Sequence, residues 1–115
     1  MRLPLVHIAE VPEAKVVDYL LNVEHEDGRG KAIFFKKFGF RAQAWEVLAQ
    51  ALKRHAELND VAATVVTEFG VKYIVEGKLQ APGGETPNMR VVWFVETSSK
   101  GPRLVTAHAL ARSKE

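Results

Sequence analysis

Apolar positions follow a helical spacing in the first half of the chain. The clearest stripe is formed by Trp45, Leu48 and Leu52 at i, i+3 and i+7, the spacing of one buried helix face. Pro12 and Gly39 stand where proline commonly begins a helix and glycine commonly ends one. The spacing predicts three helices, over about residues 12–21, 31–38 and 42–58.

From about residue 61 the period changes to two, which is typical of strands. Segments rich in valine, threonine and aromatic residues are separated by turn sequences such as Phe69-Gly70 and Pro82-Gly83-Gly84. Because the connections are short, we expect an antiparallel meander. Helices followed by a sheet indicate an α+β fold, with the helices packed on one sheet face. The predicted strands span about residues 61–68, 71–79, 89–96 and 103–111.

Composition indicates one ordinary globular domain over residues 1–115, with 47% hydrophobic and 26% charged residues. The chain has no cysteine, which excludes disulfides, thiolate zinc sites and cysteine nucleophiles. Its first residues are too broken for a signal peptide, and no apolar run reaches the roughly 18 residues of a membrane span. We therefore expect a cytoplasmic protein with no membrane partner.

The segment between the first two predicted helices carries polar residues that a plain connection does not need. Asn22, His25 and Lys31 alternate with glycines between two apolar flanks, and glycine lets a backbone approach a ligand closely. The four histidines lack metal-ligand spacing, and the glycines lack the spacing of a triphosphate loop. We expect no metal and no cofactor, and we interpret the segment as one wall of a site completed by the sheet.

Strand alternation predicts that second wall. Thr106 and His108 lie on one side of the last strand, and Arg90 lies on one side of the strand before it. If those sides coincide, one sheet face holds a histidine, a hydroxyl and a cation, with His25 and Lys31 reaching its edge. Metal-independent RNA cleavage needs such groups: a base, an acid and a cation near the phosphate. The alternative is a solvated sheet face with an incidental histidine.

Two further features have a structural and a functional interpretation. His55 lies on the apolar stripe of the third helix, and we interpret it as a packed histidine at the edge of the core. The segment 29–54 has seven basic residues against one acid, Glu46, although the net charge of the chain is only +2. This segment is either a solvated helical face or a nucleic-acid interface.

A series of spaced residues in the loop and in two strands forms a longer motif. It resembles the hallmark of an uncharacterised family of small bacterial domains, which occur alone, beside a second small gene, or as the C-terminal tips of secreted polymorphic toxins. The motif comprises Tyr19-Leu20-Leu21-Asn22, His25, Gly28, Gly30-Lys31, Phe34-Phe35 and Gly39-Phe40, then Phe69-Gly70, Tyr73, Val75, Gly77, Arg90 and Trp93-Phe94.

The resemblance implies a ribonuclease-like fold of the barnase/EndoU/RelE kind and a toxin role. Its matched polar residues are Asn22, His25, Lys31, Tyr73 and Arg90. The chain departs from such sequences at Arg41, where a serine often caps the long helix.

Our leading hypothesis is a metal-independent, RNA-directed nuclease-like domain, the toxin of a toxin–antitoxin pair. One alternative is a non-catalytic interaction module, either a homodimer or a chain paired with a small protein partner, in which Asn22 and His25 cap helix ends. Another is nucleic-acid binding without catalysis through the segment 29–54. The leading hypothesis assigns His25 and His108 as acid and base, Lys31 and Arg90 to the phosphate, and Tyr73 and Thr106 to orientation.

Overall fold

The computed structural model describes residues 1–98 and 101–110. A helical layer is followed by one antiparallel sheet of four strands in the order β1-β2-β3-β4, so the predicted α+β fold is confirmed. The helices are α1 (Glu13–Lys15), which continues into a π-helical turn (Val16–Leu20), α2 (Arg29–Lys37) and α3 (Trp45–Leu58), with short 3₁₀ turns at Val6–Ile8 and Ala42–Ala44. The strands are β1 (Val61–Thr67), β2 (Gly70–Lys78), β3 (Asn88–Glu96) and β4 (Arg103–Ala109).

Two helix boundaries differ from the prediction. The first helix changes to π-helical geometry after Lys15, and its last turn is closed by a 2.8 Å bond from the Leu21 amide to the Val16 carbonyl. Helix α2 begins at Arg29 rather than at Lys31, because the loop before it already supplies a partner for the Arg29 amide, the His25 carbonyl oxygen at 2.9 Å. Ala111, the last residue of the predicted fourth strand, lies outside the described residues.

The register of the sheet decides which polar side chains share a face. Arg90 on β3 lies opposite Glu76 on β2 and opposite His108 on β4. Directly opposite residues of paired strands point to the same face, so these three side chains lie together. Thr106 lies on the same side, opposite Val92, and the register shifts immediately afterwards, between Val92 and Trp93.

The helices cover the other face of the sheet. Val75, Val91 and Trp93 are completely buried there, together with Leu48 and Leu52 of α3. The cover stops before β1, where nearly every residue is exposed. No helix within the described residues is both long and apolar enough to cross a membrane.

Candidate functional site

Tyr19 is the residue through which the helical layer meets the sheet face that holds Thr106 and His108. It lies on the π-helical turn, an irregularity that is frequent at functional sites. Because β4 is the edge strand, helices can reach around it, and the Tyr19 hydroxyl lies 3.1 Å from the Thr106 hydroxyl. The ammonium groups of Lys15 and Lys31 lie 5.7 and 5.6 Å from the centre of the Tyr19 ring. A half-buried phenol thus joins two lysines to the edge strand.

His25 lies against Tyr19, and the loop backbone fixes its ring. The two ring centres are 5.0 Å apart in an edge-on arrangement. The Nδ1 atom accepts hydrogen bonds of 3.0 Å from the amides of Asp27 and Gly28. In the neutral ring the proton must therefore lie on Nε2, which makes no hydrogen bond within the described part of the chain. The ring orders the start of α2 and keeps one N–H donor available.

Gly28 permits this close approach of loop and helix. A Cβ atom at Gly28 would overlap the backbone carbonyl oxygen of Tyr19, whereas a Cβ atom at Gly30 would meet nothing within 4 Å. Asn22 completes the connection, since its side-chain amide donates to the Asp18 carbonyl at 3.2 Å. Asn22 and His25 therefore order the two helix ends, as the interaction-module alternative expected.

Lys31, Arg90 and His108 form the second half of the site. The Nε atom of Arg90 donates to the Glu76 carboxylate at 2.7 Å, and both side chains are partly exposed. Partial burial lowers the pKa of His108, the positive charges of Arg90 and Lys31 lower it further, and the Glu76 carboxylate opposes this shift. The His108 imidazole is consequently biased toward its neutral, proton-accepting form.

Two neighbouring cavities hold most of these side chains, but Arg90 and Glu76 line neither of them. The larger, of about 740 Å³, is lined by Lys15, Tyr19, His25 and Thr106 among others. The smaller, of about 340 Å³, is lined by Lys31, His108 and residues of α2. Asp27 borders both cavities. His25 and His108 thus line adjoining cavities rather than one, and Lys31 connects them through its approach to the Tyr19 ring.

The other candidate residues lie elsewhere. Tyr73 shares the helix-facing side of β2 with Val75 and packs against the core, away from the face of Arg90. His55 is buried, and its Nε2 lies 3.1 and 3.2 Å from the carbonyl oxygens of Gly77 and Met89. Burial lowers the pKa of His55. The interpretation of His55 as a packed histidine is confirmed.

Sequence reasoning missed two members of the site. Tyr19 was recognised only as part of a motif, although a tyrosine at the end of an apolar helix face is a signal, because its hydroxyl needs a polar partner. Glu76 belongs to no motif in the sequence, and only the register of β2 against β3 pairs it with Arg90. Among the described residues, no group of three or more histidine, cysteine, aspartate or glutamate side chains is placed to hold a metal ion.

Comparisons with known proteins agree with this architecture. The fold is similar to that of a chain in a contact-dependent growth inhibition toxin–immunity protein complex from Klebsiella pneumoniae 342, with a TM-score of 0.72. That likeness covers 93% of this chain and 97% of the other at 20% identity, so it shows a shared fold alone. No curated protein matches the sequence. Residues 2–111 match a family described as a domain of unknown function, DUF6883, and the chain belongs to that family.

Proposed function

We propose that the chain is an RNA-directed, metal-independent nuclease-like domain of the toxin type. The observation that carries this proposal is the convergence of Tyr19, His25 and Lys31 from the helical layer with Thr106 and His108 on the edge strand. The fold similarity to a chain of a toxin–immunity complex supports the toxin-type role.

The two histidines have different environments, which suggests different roles. His108, with its lowered pKa, is suited to take the proton from a 2′-hydroxyl. The 2′-oxygen then attacks phosphorus and the bond to the 5′-oxygen breaks. That oxygen takes a proton from a water molecule, and the hydroxide so formed takes back the proton that His108 holds. His25 offers its Nε2–H to a phosphate or leaving oxygen, while Lys31 and Arg90 stabilise the charge that develops on the phosphate. Tyr19 and Thr106 orient these groups.

Cleavage of tRNA and total RNA in the presence of EDTA tests the proposal. We expect cleavage by the purified chain, and a loss of roughly 10²–10⁴ in rate for His108→Ala or His25→Ala. His7→Ala is the matched control, because His7 is exposed in the N-terminal 3₁₀ turn. An absence of cleavage, or equal rates for all three variants, would overturn the proposal.

A second candidate is a protein-interaction module, and the exposure of β1 favours it. This strand has no charged side chain within Val61–Thr67, and it forms an edge of the sheet. Val66 is 78% exposed and Phe69, in the following turn, is 70% exposed. Such an edge is a template for an added strand. The partner would be a second copy of the chain or a small protein, and the similar solved structure is itself a protein complex.

Light scattering over a range of protein concentrations tests the homodimer. We expect dimers that dissociate in Val66→Lys, which places a charge on the exposed edge. Val47→Lys is the matched control, because Val47 is an exposed valine on α3. A monomer at every concentration, or equal loss in both variants, would exclude β1 pairing between copies.

A further inference from the structure

A third cavity adjoins the one that holds Lys31 and His108. It has a volume of about 390 Å³ and lies between α2 and the end of the β2–β3 hairpin. Phe34 and Ala109 line both cavities, so the two lie side by side along α2. If a chain-like ligand such as RNA binds one unit at Lys31 and His108, its neighbouring unit would lie at the third cavity.

The walls of this cavity are aromatic and its rim is polar. Phe34 and Phe38, both partly exposed, lie with ring centres 4.9 Å apart at 54°. Thr86 and Asn88 border the cavity, and neither side chain forms a hydrogen bond with the described residues. A purely apolar ligand would cover these polar groups without pairing them, which costs free energy. Aromatic rings beside unpaired hydrogen-bond donors and acceptors are suited to bind a planar heterocycle.

Two lysines near the cavity indicate the charge of the ligand. Lys31 lies toward the neighbouring cavity, and Lys78 lines the third cavity itself. In an RNA strand each nucleoside has a phosphate on both sides, and a lysine lines each of the two cavities, Lys31 in one and Lys78 in the other. Unpaired bases that stack on aromatic side chains are the usual means by which proteins recognise single-stranded RNA.

We propose that the cavity lined by Phe34, Phe38 and Asn88 is a base-binding subsite, which holds an unpaired nucleobase next to the scissile phosphate. This inference rests on the proposed nuclease function and specifies its substrate as single-stranded RNA. The aromatic rings supply stacking, and the Asn88 amide with the Thr86 hydroxyl reads the edge of the base. The adjoining phosphate would then lie in the neighbouring cavity, which Lys31 and His108 line.

Binding of 2′-fluoro hexanucleotides separates this inference from catalysis, because these probes have no 2′-hydroxyl to act as the nucleophile. A series is made in which one position at a time lacks its base. We expect one position at which loss of the base weakens binding roughly five- to 150-fold, the range for one stacked base. In Phe34→Leu and Phe38→Leu, which keep apolar volume but lose the flat ring, that difference should largely disappear.

Phe69→Leu is the matched control, since Phe69 is exposed in the β1–β2 turn, away from the cavity. Tight binding with no sensitive position, or the same sensitivity in all variants, would overturn the base subsite while the nuclease proposal stands on its cleavage assay. No binding of any hexanucleotide, together with no cleavage of RNA, would overturn both.

Discussion

The hydrogen bond between Tyr19 and Thr106 offers the sharpest test of how the two halves of the site are joined. It is 3.1 Å long, partly buried, and connects residues 87 positions apart. Replacing Tyr19 by phenylalanine removes the hydroxyl and keeps the ring, so the contact with His25 and the approach of both lysines remain. A hydrogen bond of this kind contributes about 1 kcal/mol to the free energy of unfolding. We expect Tyr19→Phe to lower the melting temperature by about 4 °C.

Urea unfolding of Tyr19→Phe, Thr106→Val and the double variant measures the bond itself. If the hydroxyls interact, each single change costs about 1 kcal/mol and the double change costs about the same, a coupling of roughly 1 kcal/mol. Tyr73→Phe is the matched control, because the Tyr73 hydroxyl forms no hydrogen bond with the described residues and its ring packs against the core. We expect a much smaller cost there.

The same variants test the link to function. If this bond holds β4 against the helical layer, RNA cleavage by Tyr19→Phe falls although no proposed acid or base has changed. Additive single effects, with a coupling below about 0.3 kcal/mol, would refute the bond as the connection between the two walls. Unchanged cleavage with normal coupling would limit the bond to a role in stability.

Three further changes follow from single contacts. Burial lowers the pKa of His55, so the unfolded chain binds a proton at this residue more readily than the folded chain does. The free energy of unfolding should therefore fall as the pH drops below about 6.5, by up to about 1.4 kcal/mol per pH unit. In urea titrations, His55→Gln should flatten this slope. Gly28→Ala should destabilise the chain by more than about 1 kcal/mol, because the added Cβ atom would overlap a carbonyl of the π-helical turn. Gly30→Ala inside α2 should be neutral or stabilising. Equal melting temperatures of the two variants would contradict this difference. Arg90→Gln removes a positive charge near His108 and leaves the Glu76 carboxylate unpaired. The pKa of His108, followed by NMR titration, should therefore rise. A fall would contradict the effect assigned to these two charges.

Much of the fold could be predicted because its causes are local. The period of apolar residues changes from helical to alternating near residue 61, and β1 begins at Val61. The stripe on α3 predicted its buried face, with Leu48, Leu52 and His55 inside. Gly39 adopts a positive φ of 98°, as its placement after α2 predicted. Periodicity and turn chemistry act over a few residues, so they can be read without knowing the fold.

The candidate site depended on longer-range information. Alternation assigned Arg90, Thr106 and His108 to sides of their strands, but the pairing of Arg90 with His108 is a property of the register. Alternation also does not determine which side of β2 faces the helices. In the structure Tyr73 lies on the helix-facing side, among core residues. The register shift between Val92 and Trp93 has no marker in the sequence.

The sequence by itself determined the order of the elements, the buried face of α3 and the polar residues available to a site. The tertiary structure alone decided that the π-helical turn brings Tyr19 to Thr106 and that Lys31 lies between Tyr19 and His108. The physical reason is that helix and strand preferences arise from neighbouring residues. The meeting of a helix with an edge strand instead arises from packing between segments far apart in the chain, which local patterns do not encode.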